Sequence, residues 1–66
     1  MYMVSLKTTD QQSAVLKVIE IGEALGYTED VDFDMVVITY GTLETDFSLI
    51  TSSPTVYSDI ADFLGE

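Results

Sequence analysis

The sequence predicts an α+β fold: a small β-α-β-β-α domain in which a three-stranded, mainly antiparallel sheet carries two helices on one face. Three observations lead there. Apolar residues recur with a period of two in three segments and with a period near 3.6 in two others. Capping and turn residues stand between those segments. The chain has 66 residues, so residues 1–66 are expected to form a single domain in which one helical layer on one sheet encloses the core.

The first segment, residues 1–8, alternates Tyr2, Val4 and Leu6 with Met3, Ser5 and Lys7, the pattern of a half-buried strand. Thr9 followed by Gln12 has the spacing of a capping box, and Asp10 adds a negative charge where a helix N-terminus favours one, so a helix is expected to start near Asp10. At 100° per residue, Ala14, Val15, Val18, Ile19, Ile21, Gly22 and Leu25 share one broad face, while Gln12, Ser13, Lys17, Glu20 and Glu23 share the other. Leu16 falls among the polar residues, and Gly26 is placed to stop the helix.

Residues 29–40 begin with Asp30, Asp32 and Asp34 alternating with Val31, Phe33 and Met35, then run apolar and β-branched through Val36, Val37 and Ile38. A strand with an acidic outer face at its start is expected. Residues 43–51 alternate again, with Phe47 and Leu49 opposite in phase to Glu44, Asp46 and Ser48. A hairpin closed by a three-residue loop of Gly41, Thr42 and Leu43 sets Met35 opposite Leu49 and Val37 opposite Phe47, whereas a two-residue loop would mix apolar with acidic neighbours. Ser53 and Pro54 read as N-cap and first residue of a second helix. Its Val56, Tyr57, Ile60, Phe63 and Leu64 lie on one side, against Thr55, Ser58, Asp59, Asp62 and Glu66 on the other.

Composition narrows the chemistry. The chain has neither Cys nor His, so thiolate and imidazole catalysis and the usual zinc sites are excluded. A hydrophobic content of 47% with a single Pro argues for a compact fold rather than disorder. No stretch approaches the roughly 18 apolar residues of a membrane span, and residues 1–6 lack the basic and long apolar regions of a leader. The expectation is a soluble, cytoplasmic protein.

Asp30, Asp32 and Asp34, with Glu29 beside them, invite comparison with a calcium loop. An EF-hand starting at Asp30 needs Gly at its sixth position and Glu at its twelfth, and this chain has Met35 and Gly41 there. The carboxylate pairs Glu20 with Glu23 and Asp59 with Asp62 are three apart on helices, but no apolar pocket is evident to split their pKa values, and Ser, Thr and Lys have no partner base. No enzyme activity, metal or cofactor is expected.

The charge is the most informative feature. Twelve Asp and Glu against two basic residues leave a formal net charge of -10, beyond the magnitude of roughly 2 to 8 that keeps a small domain soluble. Such a surface repels nucleic acid and anionic membranes. The acids lie opposite the apolar stripes, at Glu20 and Glu23, at Asp30, Asp32, Asp34, Glu44 and Asp46, and at Asp59 and Asp62. On a strand, side chains two apart form a row with a spacing of about 7 Å, an approach to the phosphate spacing of DNA, about 3.4 Å per strand.

The expectation is a non-enzymatic inhibitor or modulator that occupies the basic groove of a nucleic-acid-binding protein, in the manner of a DNA mimic. Asp30, Asp32, Asp34, Glu44 and Asp46 stand in for phosphates, Tyr40 and Ile38 serve as anchors, and Glu20, Glu23, Asp59 and Asp62 are secondary. The alternative is a structural or assembly module. Val36, Ile38 and Tyr40 point away from the helices in that reading and join two copies in a homodimer, the acid serving only solubility.

Overall fold

The computed structural model describes residues 1–40 and 44–65, and for Tyr40 and Glu44 the backbone only. Its elements are β1 (Tyr2–Ser5), α1 (Gln11–Leu25), β2 (Asp34–Tyr40), β3 (Glu44–Thr51) and α2 (Pro54–Leu64), the expected α+β order. The three strands form one sheet in the order β1-β3-β2. Both β1 and β2 are antiparallel to β3, so they run parallel to each other with β3 inserted between them. The register pairs Met35 with Leu49 and Val37 with Phe47, as the sequence predicts. The residues assigned to the connecting loop, 41–43, lie outside the described residues.

The first strand is shorter than its alternation. Lys7 takes a left-handed φ of 55° and turns the chain out of the ladder. Pairing nevertheless continues across it, since Leu6 N–H donates to the Phe47 carbonyl at 2.9 Å and Phe47 N–H donates to the Thr8 carbonyl at 3.2 Å. Leu6 therefore stays in the core.

The N-cap of α1 is Asp10 rather than Thr9. Its carboxylate accepts from both the Ser13 N–H, at 3.1 Å, and the Ser13 hydroxyl, at 2.8 Å. An ionised acceptor satisfies the orphan donors of a first turn better than a neighbouring hydroxyl does. Gly26 ends the helix at φ 78°, a conformation glycine adopts without a Cβ penalty. The helix α2 starts as expected, with the Ser53 hydroxyl accepting from Val56 N–H and Pro54 at its first position.

The apolar face of α1 is narrower than the sequence predicts. Ala14 and Ile21 are buried, and Val18 and Leu25 pack against the core, but Val15 and Ile19 are 41% and 49% exposed. The stripe that meets the rest of the fold is the 14-18-21-25 row, because α2 packs across β1 and β3 while α1 packs against α2. The core joins Val4 and Leu6 of the first strand region, Phe33, Phe47 and Leu49 with Val56, Ile60 and Ala61 of α2. Val37 shares the helix-side sheet face with Phe47 yet is 55% exposed, so the helical layer stops short of that end of β2.

The largest correction concerns residues 29–33. The expected strand 29–40 begins only at Asp34, and Asp30 sits at φ 69°, which breaks the alternation. The Val31 and Asp32 N–H groups both donate to the Thr28 carbonyl, at 3.2 and 2.9 Å, and Asp30 N–H donates to the Phe33 carbonyl at 2.7 Å. The Asp32 carboxylate closes the turn by accepting from Thr28 N–H at 2.8 Å. Aspartate tolerates the left-handed region and bonds nearby backbone donors, so turn chemistry overrides strand periodicity here. No helix among the described residues is long and apolar enough to cross a membrane.

The burial difference along α1 sets an expectation. Ile21→Val should lower unfolding free energy by about 1 kcal/mol, the usual cost of removing one buried methyl, while Ile19→Val should change it by less than about 0.5 kcal/mol. Urea denaturation of the two variants measures this directly.

Candidate functional site

The sheet has one face under the helices and one face open. In the antiparallel ladders, residues directly opposite one another share a face, so Met3, Ile50 and Asp34 form one row across the open face, Ser5, Ser48 and Val36 a second, and Asp46 with Ile38 a third. Tyr40 and Glu44 pair at the end of the β2–β3 ladder, and their side chains lie outside the described residues. The open face therefore gathers the expected site residues Asp34, Ile38 and Asp46, with Tyr40 and Glu44 at register positions of the same parity. Val36, Ile38 and Ile50 are half-buried and take no part in the core cluster.

Asp30 and Asp32 do not extend this row. They belong to the turn before β2, and the exposed apolar residue between them is Val31, 79% exposed. The alternation of the sequence assigns Val31 to the interior, and only the recognition that Thr28 to Asp32 is a closed turn puts it outside. A shallow hollow of about 130 Å³ lies beside it, its lining including Met1, Val31, Asp32, Asp34 and Ile50. Acid and apolar surface are thus interleaved at this end of the sheet.

Most of the described carboxylates fall into two groups. Four hold the fold: Asp10 caps α1, Asp32 closes its turn, Asp46 accepts from the Ser5 hydroxyl at 2.8 Å, and Asp59 accepts from the Tyr27 hydroxyl. The side chains of Glu20, Glu23, Asp30, Asp34 and Asp62 are exposed and make no hydrogen bond among the described residues. Glu20 and Glu23 stand on α1 and Asp62 on α2, apart from the turn in sequence, while Asp59 is half-buried in the middle of α2. Among the described residues no three acidic side chains converge as they do around a metal ion.

Among the described residues, two groups titrate away from their ordinary ranges. The hydroxyl of Ser13, then its N–H, hold Asp10 below the usual carboxylate range. The helix-capping contribution of Asp10 is therefore present above the unfolded pKa and fades as pH falls through the lower folded value. Tyr27 shifts upward from the usual phenol range, first because its hydroxyl donates to Asp59, then through desolvation and the charges of Asp59 and Asp32. Here the protonated form is the favoured one.

Compared with protein-family models, with curated proteins and with solved structures, the chain matches none.

The Tyr27–Asp59 bond ties the segment after α1 to α2. Because Tyr27 is raised in the folded state, its contribution is complete below the ordinary phenol pKa and is lost as pH rises through the folded value. Stability followed by denaturation across alkaline pH should show this loss in the parent chain, and Tyr27→Phe should lack that component. Asp59→Asn should bring the tyrosinate absorbance transition of Tyr27 back toward the ordinary range.

Proposed function

We propose that the chain is a non-enzymatic acidic binding protein that occupies the basic groove of a nucleic-acid-binding protein and inhibits or modulates it by competing with nucleic acid. The observation that supports this reading is the end of the sheet where Asp30 and Asp34 stand exposed around Val31 and beside Asp32. Their carboxylates have no donor within the described fold, so their full hydrogen-bonding capacity is directed outward, and the net charge of -10 supplies long-range attraction to a basic partner. Guanidinium and ammonium groups are the chemistry that satisfies such oxygens.

In this reading the acids divide by role. Asp30 and Asp34 make direct contacts. Asp32, Asp46 and Asp59 contribute charge while their geometry is held by internal donors, and Glu20, Glu23, Asp62 and Glu44 add to the field. Val31 takes the anchoring role that the sequence assigned to Ile38 and Tyr40, because a side chain projecting between two charges is the first to be desolvated on contact.

A second reading is favoured by the open sheet face. Met3, 52% exposed, continues into the half-buried Ile50, Val36 and Ile38, an apolar strip of the kind that joins two copies of a chain. It proposes a homodimer, with the acid keeping the assembly soluble.

The two readings separate cleanly in one set of measurements. The immobilised chain should retain a basic nucleic-acid-binding protein from lysate at low salt, release it at high salt, and lose it to added duplex DNA. The double variant Asp30→Asn with Asp34→Asn should weaken that binding about tenfold, the worth of one or two charge-assisted contacts, and flatten its salt dependence. Retention that ignores both DNA and the substitutions overturns the groove-occupying reading. Sedimentation equilibrium tests the homodimer: self-association at micromolar concentration that is abolished by Val36→Lys supports it, and a monomer across that range removes it.

A further inference from the structure

The sheet has two edges, β1 and β2. In an antiparallel ladder a residue directs its N–H and its C=O to the same neighbour, and successive residues alternate between the two sides. Phe47 directs both toward β1: its N–H donates to the Thr8 carbonyl and its carbonyl accepts from Leu6 N–H. Its partner on β2, Val37, therefore turns both backbone groups away from β3, and by the same alternation so do Met35 and Thr39. Among the described residues these outward groups meet no backbone partner.

A sheet edge is ordinarily blunted by shortness, a lysine, a proline, a bulge or a covering element. The edge at β1 is blunted: the strand has 4 residues, and the chain turns out of the ladder at Lys7. The edge at β2 is not. It has 7 residues, Asp34 to Tyr40, with neither lysine nor proline, and its register against β3 runs without a bulge. The helical layer stops short of it at Val37, which is 55% exposed, and Thr39 beyond is exposed as well.

We propose that this edge pairs with the β2 edge of a second copy of the chain, antiparallel and about a two-fold axis at Val37, so that two sheets join into one. In that register Val37 meets Val37, Met35 meets Thr39 and Val36 meets Ile38 of the second copy. Every outward N–H of Met35, Val37 and Thr39 then faces an outward carbonyl, and the exposed valine gains a β-branched neighbour. This self-complementarity favours a second copy over any other extended chain, and the charges permit it. Asp34, the one acid of β2, falls opposite the register position of Tyr40. The Asp34 residues of the two copies stand roughly 20 Å apart, six strand residues at about 3.3 Å each, more than twice the Debye length of about 8 Å at physiological salt. The row of Asp46 and Ile38 continues into Val36 and Ser48 of the second copy, again with no acid opposed to an acid. Paired residues share a face, so both helical layers lie on one side of the joined sheet. This surface is the edge of β2 and not the open-face strip of Met3, Ile50, Val36 and Ile38, and it rests on neither reading proposed above.

Sedimentation equilibrium and amide hydrogen exchange on the intact chain, from micromolar to millimolar concentration at low and high salt, test the pairing. A dimer is expected that tightens as salt screens the repulsion between two acidic copies, the opposite of the salt response expected for a basic partner. With dimerisation the amides of Met35, Val37 and Thr39 should slow about tenfold or more, while those of Val36 and Ile38, already bonded to β3, should change little. Val37→Lys, at an exposed position, should weaken association about tenfold by setting like charges opposite each other. Val37→Pro removes only an outward donor, a place where an edge strand tolerates proline, and should abolish association; retained protection at Val36 and Ile38 shows that either variant is folded. The proposal is overturned if the parent stays monomeric at millimolar concentration and high salt, or if a folded variant associates as the parent does. It is equally overturned if the chain associates while the Met35, Val37 and Thr39 amides exchange as fast as in the monomer, which is the behaviour of a dimer joined through the open face.

Discussion

The constraint on which the rest depends is that β1 and β2 do not pair with each other. They run parallel, and β3 alone joins them by pairing along both of its edges. Parallel neighbours need a crossover, which α1 supplies, but the crossover leaves a gap one strand wide until β3 inserts. The sequence of β3 must therefore serve two faces at once. Phe47, Leu49 and Thr51 are buried on the helix side, while Asp46, Ser48 and Ile50 alternate with them on the open side. Ser48 is the smallest of these and is 1% exposed, flanked in the register by Ser5 of β1 and Val36 of β2.

A chain with ten uncompensated negative charges works against its own compactness, and this one reduces the cost by giving some acids structural duties. Asp10, Asp32, Asp46 and Asp59 each accept a hydrogen bond that a neutral domain would need another residue to provide. The Asp59 case is instructive: a charged acceptor meets the Tyr27 hydroxyl and links the end of α1 to α2, at a place where two apolar faces alone would leave the phenol unmatched. The charge that seems surplus in composition is thus partly turn, cap and tether.

The parts of this architecture legible in the sequence are those in which local signals agree. Ser53 and Pro54 mark α2 because cap chemistry and the loss of a donor at proline point to the same residue. The hairpin register follows from Met35, Val37, Phe47 and Leu49, since any slip by one residue would turn an acid inward. Sheet order is not local information, and nothing in the strand sequences says that β3 is central. The acidic turn misleads because Asp30, Val31 and Asp32 satisfy strand alternation and turn chemistry equally well, and the Thr28 carbonyl and amide that decide between them carry no mark in the side-chain pattern. Val15 and Ile19 mislead in a related way: a helical wheel shows which residues are apolar but not how wide a stripe its neighbours cover.

The same ladder holds two hollows apart. The hollow with Asp32 and Asp34 includes Met1, Ile50 and Thr51, and the hollow with both lysines includes Ser5, Leu6 and Lys7, so the two stand at opposite ends of the β1–β3 pairing. The turn chemistry that overrides the strand pattern is what leaves Asp30, Val31 and Asp34 exposed together at one end of the sheet. Had residues 29–33 continued β2, alternation would have turned Val31 toward the helices and left only the acids outside. The groove-occupying proposal therefore depends on a backbone decision made at Thr28 and Asp32, where a carbonyl and a carboxylate close the turn.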